Sequence, residues 1–396
     1  MVGQTLREWT ANAQEDLNAI CVCSDPKVSK KLSDDGVGDH VEDLGAPATT
    51  DPNKILKQVL SSGLTVIFST YQSIDSVIEA QRQGLPEFDI IICDEAHRTT
   101  GVIIDGVDES AFTKVHDNNN IKAKKRLYMT ATPRLYGVKG KEDAKKAAAV
   151  LCSMDDESQY GKEFYKISFD KAVDLELLSD YKVLVLTTKE SNMPDIIKRQ
   201  WEKQKGTGKE LDIDLECKIW GALSALAKNI AHDETVKQSD PGKMRSAVAF
   251  SRTIALSKET TNRFNEMARN AERPMDIEVR HIDGAMNSME RDRLLSWLKK
   301  NEGEKCRMLS NVRCLSEGVD VPALDAVIFM NSKGSLIDIV QSVGRVMRRS
   351  PGKKYGYVIV PIVVPEGDDP EKALDDNERY KLVWQVLRAL RSHDER

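Results

Sequence analysis

The run Phe88-Asp89-Ile90-Ile91-Ile92-Cys93 stops abruptly in Asp94-Glu95-Ala96-His97, and this narrows what the chain can be more than any other stretch. A short apolar run of this kind reads as a strand buried on both faces of a parallel sheet. In open α/β sheets, ligands sit outside the carboxyl ends of such strands. Two carboxylates placed there stand at the rim of a site. Asp94 suits Mg²⁺, which keeps waters between ion and protein. Glu95 suits the orientation or deprotonation of a water that attacks a γ-phosphate. A strand ending in solvated acids is the commoner meaning of the pattern taken alone, and a tetrapeptide match carries little. The weight comes from what the rest of the chain places at its strand ends.

Leu64 to Phe68 is a second apolar strand, ending in Ser69-Thr70-Tyr71-Gln72. Arg126 to Met129 is a third, ending in Thr130-Ala131-Thr132-Pro133. One such cluster is ordinary capping of the next helix, where Ser and Thr are preferred; three in one half point to a shared functional rim. Before them come a helix over Gly3 to Ala13, a short strand over Ala19 to Cys23 and a polar loop to Asp51. Strands alternate with helical patterns throughout, which predicts βαβ units and a parallel sheet. Residues 139–157 read as a charged peripheral helix and 164–180 as a connecting segment. A second α/β half begins near Tyr181, with strands at Lys182 to Leu186, Ala247 to Phe250, Ile277 to His281, Met308-Leu309 and Ala326 to Met330. A helical insertion is expected around 192–240, with an amphipathic pattern from Ile219 to Ile230, and a last helix over Arg379 to Arg391. The expected domains are 1–180 and 181–396.

The second half holds Gln341-Ser342-Val343-Gly344-Arg345-Val346-Met347-Arg348-Arg349. Spacings of three and four put Gln341, Arg345 and Arg348 on one face of a helix. Gly344 lets a backbone or a phosphate approach closely. Arginines presented from a second domain can stabilise charge on a transferring phosphoryl group; the bland alternative is a solvated basic helix. Ser316 to Pro322 adds a glycine turn and an acid, Asp320. The net charge of -5 excludes a blanket polycation but not a local basic groove. No apolar run is long enough for a bilayer and no leader is visible. The 7 cysteines lack paired metal spacing, so reduced core thiols in a cytoplasmic protein are expected.

Taken in order, Asp94-Glu95-Ala96-His97, Thr130-Ala131-Thr132, Glu317-Gly318-Val319-Asp320 and Gln341-x-x-Gly-Arg345-x-x-Arg348 resemble motifs II, III, V and VI of superfamily-two helicases. Thr70-Tyr71-Gln72 is similar to motif Ic, Gln4-Thr5-Leu6 to the end of motif Ia, and Phe250-Ser251-Arg252 with His281-Ile282-Asp283-Gly284 to the motif IV region. The stretches His281 to Lys299 and Asn311 to Pro365 resemble the motor of restriction-modification enzymes, of the single-polypeptide type I or type III-like kind. The resemblance implies two RecA-like lobes, ATP and Mg²⁺ as cofactors, and single- or double-stranded DNA as partner. It also implies methyltransferase and nuclease domains in a parent protein, and no membrane. It gives Asp94 the metal, Glu95 the water, and His97 with Thr130 or Thr132 the coupling of the two sites. Gln341, Arg345 and Arg348 would meet the phosphates, with Arg348 the finger, and Asp320 the ribose or the interlobe contact. Thr70, Ser251, Arg252, Asn311 and Arg313 would face the nucleic-acid backbone, where hydroxyl, amide and guanidinium groups position a strand without reading sequence.

One departure is plain. The family's GxxxxGK[ST] loop does not occur in the 396 residues. Gly206-Thr207-Gly208-Lys209 imitates its core, but position 203 is Lys and position 210 is Glu, and no buried strand precedes it. The chain is therefore expected to be a motor lacking its first strand and loop, and to hydrolyse ATP weakly alone. A non-catalytic DNA-binding scaffold is the alternative. A nuclease ranks last, since no PD-(D/E)xK cluster is convincingly placed.

Overall fold

The computed structural model describes residues 2–24, 48–59, 63–104, 110–136, 149–188, 212–227, 244–270, 276–300, 305–312, 315, 324–331, 336–363 and 380–394, with a few positions between 193 and 202. Contacts divide the chain into two units, 1–164 and 165–396. The sequence reading put the division near 180.

In the first unit, α1 (Val2–Asn12) leads into β1 (Leu17–Val22). α2 (Pro52–Gln58) starts where Asp51 accepts the Asn53 amide at 3.0 Å and Pro52 presets the first turn. β2 (Leu64–Ser69) pairs with β1 in parallel, and α3 (Ile74–Arg82) follows. β3 (Phe88–Cys93), β4 (Gly101–Ile104), β5 (Ala123–Tyr128), β6 (Ala149–Cys152) and the single turn α4 (Glu157–Tyr160) complete the unit. β3 and β5 run parallel with Cys93 opposite Tyr128, while β4 and β6 are antiparallel. The core gathers Ile20, Val22, Ile55, Val77, Ile78 and Cys93.

Two expectations fail here. β3 is not buried on both faces: Ile90 is 48% and Ile92 39% exposed, while Ile91 and Cys93 turn into the core. The run is apolar on two faces, but among the described residues helices cover only one. And 149–152, expected as helix, is the strand β6, because it lies in register against Gly101 to Ile104; of the rest of that stretch, 139–148 lies outside the described residues and 153–157 turns into α4.

The second unit opens with α5 (Phe169–Asp174) and β7 (Asp180–Thr188). Then come α6 (Ile213–Leu226), β8 (Ser246–Phe250), α7 (Ile254–Asn270), β9 (Ile277–His281) and α8 (Ser288–Lys299). β10 (Cys306–Asn311), β11 (Ala326–Phe329), α9 (Leu336–Val346), β12 (Tyr355–Val363) and α10 (Lys381–Arg391) follow. The six strands form one parallel sheet in the order β7-β12-β11-β8-β10-β9. Strand alternation splits the core in two. Ala247, Met308 and Ile328 pack on Ile219, Leu223, Phe264 and Met267 of α6 and α7. Val248, Leu309, Val327 and Val358 pack on Leu298, Val343, Val346 and Val386 of α8, α9 and α10. This is a parallel sheet covered by helices on both faces, the layering expected of such a lobe.

α6 corrects the expected insertion. Its Ile219, Ala222 and Leu223 are fully buried against β7 and β12, so it is a layer of the sheet. Its Glu216 is buried too, neutralised by Arg263 of α7. β12, an inner strand the sequence reading did not single out, is buried along nearly its whole length.

Candidate nucleotide and nucleic-acid sites

In the first unit the rim is built at the carboxyl ends of β2, β3 and β5. The ends of β3 and β5 stay laced beyond the strands: Met129 N donates to Cys93 O and Ala96 N to Met129 O, both at 2.9 Å. Between these bonds the chain must turn within Asp94 and Glu95. Glu95 does so at φ 49°, ψ 46°, left-handed for a residue with a Cβ. Such conformations persist only where surroundings over-determine them, and they cluster at functional sites. Here the surroundings are explicit. Asp94 Oδ1 accepts the Glu95 amide at 2.9 Å, and the Asp94 carbonyl accepts the Tyr71 hydroxyl at 2.8 Å. Arg98 N closes the following 3₁₀ turn on Glu95 O at 2.9 Å.

His97 in that turn is only 4% exposed. Its Nδ1 lies 3.3 Å from Glu95 Oε2 and 3.1 Å from Thr130 Oγ1. One imidazole nitrogen thus touches both the acid of one strand end and the hydroxyl of the next. Thr130 Oγ1 also accepts the Thr132 amide at 3.2 Å. Thr132 is buried, and its hydroxyl has no hydrogen-bond partner among the described residues. Burial raises the Asp94 carboxyl above its ordinary range, and the neighbouring Glu95 charge adds to this; the Glu95 amide and His97 oppose it.

The turn is also held from behind, by residues the sequence reading missed. His116 Nε2 lies 2.9 Å from Thr99 O; a carbonyl only accepts, so Nε2 carries the proton. In the neutral ring Nδ1 then accepts the Tyr128 hydroxyl, at 2.8 Å. Tyr160 joins through Thr99 Oγ1 at 3.1 Å. No local pattern announces such a cluster, because its members come from four separate segments.

Mg²⁺ fits this rim by donor chemistry. It takes hard oxygen ligands and is usually held by one or two carboxylates plus substrate phosphates and waters. Asp94 supplies one such group, with one oxygen already committed to the Glu95 amide. Among the described residues no group of three or more His, Cys, Asp or Glu side chains is placed to hold a metal.

In the second unit, Gln341 and Arg345 lie on α9 as expected. Arg348 does not: the helix ends at Val346, and Arg348 forms an isolated antiparallel bridge with Leu178. The cause lies in what takes the last carbonyls. Lys353 Nζ donates to Val346 O, to Arg348 O at 2.9 Å and to Leu324 O at 2.6 Å. Ser179 N takes Met347 O at 2.7 Å, and the Arg349 guanidinium reaches Glu176 O. Gly356 lets β12 run directly beneath: a Cβ there would stand 2.5 Å from the Val346 carbonyl oxygen. Burial brings the Lys353 ammonium down to about 8, with Asp325 opposing.

The predicted nucleic-acid residues divide. Arg252 is exposed, its amide held by Asn331 Oδ1 at 3.3 Å. Asn311 is wholly buried; its amide donates to Ala249 O at 3.1 Å and its oxygen accepts Leu315 N at 3.3 Å. It fastens the chain that leaves β10 and does not face a phosphate. Ser251 is buried, with a hydroxyl that has no partner among the described residues. Thr70, half-buried at the end of β2, donates to Ser73 Oγ at 3.1 Å. Arg313 and Asp320, with Gly206 to Lys209, lie outside the described residues. Behind Ser251 a buried relay runs from Asp283 through His281 (2.9 Å) and Ser257 (2.9 Å) to Ser310 (2.7 Å). It has the order of a hydrolytic triad, but Ser257 is fully buried, so no substrate carbonyl reaches it.

Each unit matches one family model: residues 7–135 match the Type III restriction enzyme, res subunit, and residues 228–350 the Helicase conserved C-terminal domain. With both models matched in this order, the chain resembles the superfamily-two helicase motor of restriction-modification enzymes. Among solved structures it is similar to the ATP-dependent Type ISP restriction-modification enzyme LlaBIII bound to DNA, with 41% identity and a TM-score of 0.76 over 100% of this chain and 26% of that one. A nuclease-deletion mutant of the Type ISP enzyme LlaGI, in complex with a DNA substrate mimic, gives 35% identity and a TM-score of 0.60 over 100% and 24%. Among curated proteins, "Probable helicase A859L" of African swine fever virus (isolate Pig/Kenya/KEN-50/1950) is 23% identical over 316 residues, 80% of this chain and 30% of its own. The chain thus spans under a third of the length of these relatives. Among the described residues, no helix is long and apolar enough to cross a membrane.

Proposed function

We propose that the chain is the motor portion of an ATP-dependent DNA translocase or helicase from a restriction-modification system. The observation that carries this is the Asp94–Glu95 turn, with His97 reaching both Glu95 and Thr130. Asp94 would hold Mg²⁺, whose role is to neutralise charge on the β- and γ-phosphates. Glu95 would take the proton of the attacking water. His97 would hold Glu95 in place and relay its position to the strand carrying Thr130. Gln341, Arg345 and Arg348 would meet the phosphates from the second lobe, and Thr70 and Arg252 a nucleic-acid backbone.

The test is release of phosphate from MgATP, with and without DNA. It compares the chain alone with the same chain behind a strand–loop–helix segment bearing GxxxxGK[ST] from a Type ISP relative. We expect weak hydrolysis from the first, DNA-stimulated hydrolysis from the second, and loss of that activity on Glu95→Gln. DNA binding indifferent to MgATP in both forms would favour the scaffold instead.

A further inference from the structure

We propose that Tyr71 is a positioning residue that passes the state of a nucleic-acid contact at Thr70 to the Asp94–Glu95 turn. The inference rests on the proposed function, which gives Thr70 the nucleic acid and the two acids the nucleotide.

Thr70 and Tyr71 are adjacent at the end of β2. The Thr70 carbonyl accepts Ser73 N at 3.0 Å and its hydroxyl donates to Ser73 Oγ at 3.1 Å. That tight turn gives Thr70 and Tyr71 little independent freedom. α3 begins at the next residue, Ile74, with Ile74 and Val77 in the core, so the turn is anchored on its far side.

The hydroxyl of Tyr71 donates to the Asp94 carbonyl at 2.8 Å. That carbonyl belongs to the peptide whose other end is the Glu95 amide, and the amide donates to Asp94 Oδ1 at 2.9 Å. A peptide is planar, so fixing its oxygen fixes its N–H. One bond from Tyr71 therefore sets the plane that orients the Asp94 carboxylate and holds Glu95 at φ 49°. Without it, the plane can swing toward the ordinary right-handed region, which takes the amide off Asp94 and moves Glu95 relative to His97. The ring packs on Phe112 with centroids 5.4 Å apart, so it is held by more than its hydroxyl. Burial raises the phenol well above its usual range, so it stays a donor. Tyr71→Phe removes the bond to the Asp94 carbonyl, with the weaker contact of the hydroxyl to the Cys93 thiol, and keeps the packing.

The experiment is hydrogen exchange by mass spectrometry on the 396-residue chain, with and without single-stranded and duplex oligonucleotides. Peptides spanning 94–100 are read, since the amides of Glu95, Ala96 and Arg98 are all bonded there. In the wild type, DNA should slow exchange in this window several-fold. Tyr71→Phe should bind DNA within about twofold of wild type and lose that response; Phe112→Leu, which keeps the hydroxyl, should retain it. DNA binding without a change at 94–100 in the wild type, or a full response in Tyr71→Phe, overturns the role of Tyr71 and leaves the motor reading standing. Failure of the wild type to bind DNA overturns both.

Discussion

Glu95 and Glu176 are the non-glycine residues at positive φ among the described residues, at 49° and 56°. Their reasons differ. Glu176 sits just past α5, where Leu177 N and Leu178 N both return to Ala172 O at 2.9 and 3.2 Å. Helices commonly end in such a left-handed residue, and glycine fills it without strain. The Glu176 backbone carbonyl accepts Arg349, and its carboxylate adds only a long, exposed ion pair with the same guanidinium at 3.4 Å, a kind worth little. Glu176→Gly should therefore stabilise the second unit by about 0.5–1 kcal/mol, less the chain entropy glycine adds to the unfolded state. A urea melt checks this; a loss of more than about 1 kcal/mol would mean that the side chain matters more than the cap. At Glu95 the same strain accompanies a side chain within reach of His97, and there a glycine would remove the acid itself. The sequence announced Glu95 because acids at a strand end are a readable pattern. It was silent on Glu176, because nothing local marks where a helix end must turn left-handed without glycine.

At the scale of elements, the arginine helix shows both the reach and the limit of periodicity. The spacing of Gln341 and Arg345 was enough to place both on α9. It extended the helix too far, because the stop is imposed by tertiary partners: Lys353, 7 residues past the helix end, and β12 passing under Val346 at Gly356. β12 itself went unread, since Gly356 and Pro361 interrupt its apolar run, and proline argues against an inner strand. α6 was seen as helix but not as core, because its buried Glu216 is neutralised by Arg263 of α7, a partner no local pattern shows. Lys353 also gives a pH signature. Its folded pKa of about 8 lies below the ordinary 10.5, so between those values the unfolded state binds more protons. Stability from this residue therefore rises with pH across that window. Compared with Lys353→Met, which cannot titrate, the wild type should gain about 2 kcal/mol in urea midpoint analysis between roughly pH 7.5 and 9.5. Equal pH dependence in both proteins would show that the ammonium is not held as described.

At the scale of the whole molecule, the order of strand-end motifs carried the reading, and it survives the misread elements because motifs sit at the ends of strands whatever covers their faces. Asn311 is the counter-example: its place in the motif order suggested a surface role, while its burial gives it an internal one. That matters for how the chain would hold DNA. With a net charge of -5 there is no general field drawing it to a polyanion, so affinity must come from a few local contacts. Of the remaining candidates, Arg252 and Arg313 are cations, whereas Thr70 offers only a hydroxyl. Cations release condensed counterions and hydroxyls do not, so the salt dependence separates them. For duplex DNA, log K against log salt should fall with a slope near -2, about -0.9 for each arginine that meets a phosphate. Arg252→Ala should make the slope shallower by about one, uniformly across sequences. Thr70→Ala should weaken binding while leaving the slope where it was. A fluorescence-anisotropy titration at several salt concentrations on two unrelated duplexes reads all of this. An unchanged slope in Arg252→Ala would take that arginine out of the interface, and a slope far steeper than -2 would point to basic contacts that the motif order did not mark.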